Sequence, residues 1–87
     1  MKLKELRRET AMYHNIQFRL QVQADFEIPG KARLEKIVLK PGTRMRVQIK
    51  PYVVQTALGP VEAADLFLEE GVIAHRVSYA CFSFLDD

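Results

Sequence analysis

From Ile16 to Ile28 the chain alternates without a break. Ile16, Phe18, Leu20, Val22, Ala24, Phe26 and Ile28 are apolar, and Gln17, Arg19, Gln21, Gln23, Asp25 and Glu27 between them are polar. A period of two puts all the apolar side chains on one face, so the pattern predicts a single β-strand with one side to the core and one to water. Fully extended, it spans about 43 Å at roughly 3.3 Å per residue. A globule of this chain length has a radius of gyration of about 12 Å. Such a strand must bend hard and be shared between two halves of a curled sheet, or reach into a second subunit.

The flanking patterns add shorter elements. Residues 2–13 carry Leu3, Leu6, Thr10 and Tyr13 at helical spacing, which predicts a short N-terminal α-helix ending near His14-Asn15. In KARLEKIVLK the alternation begun at Leu34 resumes with opposite parity at Ile37 and Leu39, the signature of a bulge. Pro41-Gly42 makes a turn. Arg44 to Lys50 then reads as a strand with Met45, Val47 and Ile49 on one face and Arg44, Arg46, Gln48 and Lys50 on the other. Pro51 lacks an N–H, so this strand ends there or lies at an edge. A short strand from Tyr52 to Thr56 turns at Leu58-Gly59-Pro60, and the two runs VEAADLFL and VIAHRVSYACFSFL form a hairpin about Glu69-Glu70-Gly71.

Together these elements predict a mainly β fold: a small, strongly bent antiparallel β-barrel of SH3-like or OB-like type, with five to six strands and a short N-terminal α-helix. A short helix followed by a strongly bent strand is also the order of elements in Sm-like proteins. That similarity is one of architecture, without an Sm sequence motif. The 87 residues suit a single domain, residues 1–87, with the helix at 2–13 and the barrel at 14–87.

Composition narrows the class. With 48% hydrophobic and 28% charged residues the chain belongs with globular rather than disordered domains. The longest charge-free stretch, Pro51 to Val61, is far shorter than the roughly 20 apolar residues of a membrane helix, so no membrane association is expected. Cys81 is the only cysteine, which excludes an internal disulfide and fits a reducing cytoplasm.

Little points to catalysis. His14 and His75 are the only histidines, and neither is near Cys81 in sequence. No nucleophile elbow, phosphate-cradling glycine loop or zinc-protease motif is present. Glu62, Asp65, Glu69 and Glu70 read as a solvated acidic rim rather than a cation site. The sequence thus predicts a non-enzymatic protein with no cofactor and no metal.

Charge is unevenly divided. Residues 1–50 hold 12 of the 13 Lys/Arg, and residues 51–87 hold 6 of the 11 Asp/Glu. Arg33, Lys36, Arg44, Arg46 and Lys50 form a basic stripe that suits a phosphate backbone, making nucleic acid a possible partner. Opposite charges on the two halves equally suit subunit-to-subunit contact. The uncharged run VSYACFSFL offers bulky groups on both strand faces, so it needs two covers, one of them the helix or another subunit. The leading expectation is therefore a binding or assembly module, a homo-oligomer or a protein's partner, with Leu3, Leu6, Tyr79, Phe82 and Phe84 in the contact. A nucleic-acid-binding barrel is the alternative and a small-ligand-binding protein the third.

Overall fold

A computed structural model describes residues 12–85. The chain forms seven antiparallel strands: β1 (His14–Phe18), β2 (Val22–Glu27), β3 (Glu35–Leu39), β4 (Arg44–Thr56), β5 (Gly59–Phe67), β6 (Ile73–Ser78) and β7 (Phe82–Phe84). They make one sheet in the order β3-β2-β6-β5-β4-β1-β7, curled into a half-barrel. Its end strands, β3 and β7, are not paired with each other among the described residues. The expected five or six strands are thus seven, and the barrel is not closed.

The long alternating segment is two strands. It breaks at Arg19–Gln21, and its halves lie far apart in the sheet order: β1 pairs with β4 and β7, β2 with β3 and β6. Ile16, Phe18, Ala24 and Phe26 are buried as the parity predicts, but Leu20, at the break, is 55% exposed. The C-terminal run breaks opposite it. The expected continuous strand through Tyr79 is β6, a 3-10 turn at Tyr79–Cys81, and β7. Phe18 pairs with Phe82 before the corner and Asp25 with His75 after it, equal steps along both ribbons, so the register carries through. Arg19 fastens the turn from both ends: its N–H donates to the Cys81 carbonyl at 2.8 Å and its Nη2 to the Ala80 carbonyl at 2.6 Å. The two ribbons bend together. This is how a ribbon of about 43 Å fits a body whose longest dimension is 34 Å and whose radius of gyration is 12.6 Å.

A second tie holds the same end. Lys40–Thr43 is a turn closed by Thr43 N–H on the Lys40 carbonyl at 3.1 Å, with Gly42 at φ +91°, a conformation that favours glycine. Gly42 N–H donates to the Phe18 carbonyl, and Phe18 N–H to the Thr43 carbonyl, both at 2.8 Å. The turn between β3 and β4 is thereby pinned to the last residue of β1.

Three local expectations change. Leu34 is 51% exposed and lies before β3, so the parity slip there is a loop-to-strand junction and not a bulge. Pro51 does not end its strand. β4 runs 13 residues, pairing with β1 from Arg44 to Val47 and with β5 from Gln48 to Thr56. Pro51 sits beyond the part that β1 covers, where a missing N–H costs nothing. The predicted helix at residues 2–13 lies outside the described residues except for Met12 and Tyr13, which are not helical, and His14-Asn15 belong to β1. No helix among the described residues is long and apolar enough to cross a membrane.

One core results, with Phe18, Ile16, Ile49, Leu66, Val47 and Val77 its largest fully buried side chains. Phe18→Ala is expected to cost about 3–5 kcal/mol in urea unfolding, and Leu20→Ala to stay within about 0.5 kcal/mol. Equal losses at the two positions would mean that the ribbon does not turn between them.

Candidate functional site

A polar row crosses the outer face of the sheet, built by register. Lys36 on β3 stands opposite Asp25 on β2, and Asp25 opposite His75 on β6. Next comes Asp65 on β5, which stands opposite Lys50 on β4. Between β5 and β6 the register shifts: Ala64 faces Val77 but Leu66 faces Ala74, so β6 carries one extra residue. That bulge puts Arg76 at φ +56°, a left-handed conformation that costs a residue with a Cβ about 1–3 kcal/mol. Asp65 offsets part of the cost. Its Oδ1 accepts the Arg76 N–H at 3.1 Å and the Tyr52 hydroxyl at 2.7 Å.

His75 lies between carboxylates, with Nδ1 3.4 Å from Asp65 Oδ2 and Nε2 3.0 Å from Glu27 Oε1. These groups, with Asp25 and the exposed side chain of Leu34, line a hollow of about 630 Å³. Burial first, then the hydrogen bond to Asp65 and its charge, push the Tyr52 phenol up to about 12. Both of these partners are carboxylates, and they tie the His75 ring to β2 and β5 beside the bulge. Among the described residues no three His, Cys, Asp or Glu side chains are placed to hold one metal ion.

The expected basic stripe is divided. Arg44, Arg46 and Lys50 do share the outer face of β4, all exposed. Lys36 lies on β3 and Arg33 in the loop before it, with β2, β6 and β5 between them and β4 in the sheet order. Acids stand close by: Lys36 and Lys50 face Asp25 and Asp65, and Arg44 and Arg46 share a hollow with Glu69 and Glu70. Opposite charges from the two halves of the chain are thus neighbours in the fold at Lys50 and Asp65 and in the hollow of Arg44, Arg46, Glu69 and Glu70. The aromatic ring beside the stripe is Tyr13, whose centroid is 5.3 Å from the Arg46 guanidinium.

The expected apolar contact residues turn inward. Phe82 is 3% exposed and packs on Phe18, Tyr79 and Phe84. Phe84 is half-buried, its ring edge-on to His14 at 5.4 Å. Tyr79, in the turn at the corner, is half-buried with a buried hydroxyl that has no hydrogen-bond partner. Burial and then the Glu62 charge push its phenol up to about 12. Leu3 and Leu6 lie outside the described residues.

Three of the nine large apolar side chains exposed among the described residues lie on the hairpin of β4 and β5. Its base is in the sheet, but past Val47 no described strand lies beside β4 on the side away from β5, and before Ala63 none lies beside β5 on the side away from β4. The arm from Tyr52 to Glu62 therefore projects as two strands alone. Val53 is 44%, Val61 41% and Leu58 100% exposed. The Thr56 hydroxyl closes the tip, accepting the Leu58 N–H at 3.2 Å and donating to the Gly59 carbonyl at 2.7 Å, with Gly59 at φ +113°. The arm is nearly the same stretch that the sequence marks as its longest without charge. What the pattern alone lacked was the strand order that leaves this stretch uncovered.

No protein-family model, curated protein or solved structure matches this chain.

Asp65→Ala is expected to lower stability by about 1–3 kcal/mol, since it strands the Tyr52 hydroxyl and the Arg76 N–H. The phenols give a pH signature. Tyr52 and Tyr79 rise from 10.0 to about 12 on folding, so folding favours their protonated forms. Their stabilisation is complete below pH 10 and is lost as pH climbs through 12. Denaturant midpoints should fall across that window, and a Tyr52→Phe, Tyr79→Phe double variant should show a flatter fall.

Proposed function

We propose that this chain is a non-enzymatic binding and assembly module that associates with itself through the β4–β5 arm. The supporting observation is the arm: two strands with free edges, no charge from Pro51 to Val61, and Leu58 wholly exposed at the tip. Surfaces of that kind on small soluble domains mark contact sites or aggregation hazards. The contact assigned from sequence to Phe82 and Phe84 moves to the arm, because those rings pack within the subunit. On this reading the module is a curled β fold of the SH3- or OB-like kind, working in a reducing cytoplasm, in keeping with a lone cysteine.

Nucleic-acid binding is the second reading, supported by the pair Arg44 and Arg46 with Tyr13 beside it as a platform. The acids that flank the stripe weigh against it.

Light scattering behind size exclusion, run across a concentration series, separates the readings. Self-association predicts a mass above one chain at high micromolar concentration, reduced to a monomer by Leu58→Lys with Val53→Lys. A wild-type monomer throughout would end this proposal. Phe82→Glu should unfold the chain rather than dissociate it. Labelled single- and double-stranded oligonucleotides tested at two salt concentrations should not bind. Binding that weakens as salt rises, and is lost in Arg44→Glu with Arg46→Glu, would favour the second reading.

A further inference from the structure

The arm has two edges, and only one of them is open to another strand. Pro51 and Pro60 both lie inside the unbroken ladder of β4 with β5, opposite Ala64 and Gln55. Neither has an N–H, so each fits there only where its backbone points away from its ladder partner. Alternation then turns the N–H and C=O of Val53 and Gln55 outward along the β4 edge. On the β5 edge the corresponding residues are Pro60, which has no donor, and Glu62, which carries a charge.

The sheet's other edges are guarded as well. β3 carries Glu35 and Lys36, with Lys40 just after it, and β7 is three residues long. Charge, proline and shortness are the devices that keep strand edges apart. The β4 edge between Pro51 and the turn at Ala57-Leu58 has none of them.

We propose that two copies of this chain join along that edge, antiparallel, across a two-fold axis through Val54. The proposal rests on the self-association reading and gives it a geometry. Val53 of one copy exchanges N–H···O=C bonds with Gln55 of the other, and the reverse, while Val54 faces its own copy. The next pair outward meets Pro51, which cannot donate, so the ladder stops. An edge that is consumed by its own copy makes a closed dimer and not a fibre. The occupant must be a short, uncharged strand of matching length, and a second copy supplies one without bringing like charges together. Residues 1–11 lead into β1, which pairs with the base of this edge, and are the competing occupant. They carry Lys2, Lys4, Arg7 and Arg8 and no strand alternation, and fit an uncharged strand edge less well.

Disulfide trapping tests the axis, in the full chain with Cys81→Ser. Facing residues at a non-hydrogen-bonded antiparallel position have Cα atoms about 4.5 Å apart, within the about 4.4–6.8 Å that a disulfide spans. Val54→Cys should therefore link into a covalent dimer under mild oxidation, and Val61→Cys, on the arm's other strand, should not. Gln55→Pro removes only an outward N–H. It should keep the monomer's β-sheet circular dichroism and weaken dimerisation roughly tenfold or more. A native dimer that links through Val61→Cys, or that Gln55→Pro leaves unchanged, would overturn the axis and keep the self-association reading. A monomer at every concentration, with no linkage at Val54→Cys, would overturn both.

Discussion

The structure depends on one corner, where two ribbons turn together. The segment from His14 to Glu27 and the segment from Ile73 to Phe84 pair on both sides of the bend in the same register. Neither ribbon can straighten alone without breaking that pairing. Arg19 holds the inside of the turn on the carbonyls of Ala80 and Cys81, and Phe18 fills the space beneath it. Because both ribbons change direction here, β1 and β7 reach one end of the sheet while β2 and β6 sit near the other. The curl, the single core and the places where strands run out of neighbours all follow.

One of those places is the arm. β1 begins at His14, opposite Val47, and so covers only the first residues of β4. β6 leaves β5 at Ser78, where the corner ends it. The remainder of the β4–β5 hairpin is left as a two-stranded projection. The bend that ends β6 thus bares the outer edge of β5, while the start of β1 at His14 sets where the edge of β4 is bare.

The outer face shows a different economy. Lys36, Asp25, His75, Asp65 and Lys50 come from five strands and stand in one row across the sheet. Asp65 is its structural centre, since it supplies acceptors to Tyr52, to Arg76 and to the bulge that aims His75. Lys50 from the basic half of the chain and Asp65 from the acidic half stand opposite each other in that row.

The sequence by itself determined the strand composition and most inward faces. Alternation through Ile16, Phe18, Ala24 and Phe26, and through Val47 and Ile49, is set by the pleat, which any strand obeys locally. The turns at Gly42, Gly59 and Gly71 were legible for the same reason, since a positive φ is a property of one residue and its neighbours. Only the tertiary structure decided that Leu20 faces water, that Tyr79 turns a corner, that Phe82 is core and that Pro51 sits within a strand. Each depends on which ribbon lies alongside, and that is a contact between residues far apart in the chain. The Asp65–His75 pair needed a bulge to form, and the open edge of the arm needed β1 to begin only at His14. A pattern of period two records which side of a strand is greasy; it carries no record of where its neighbours stop.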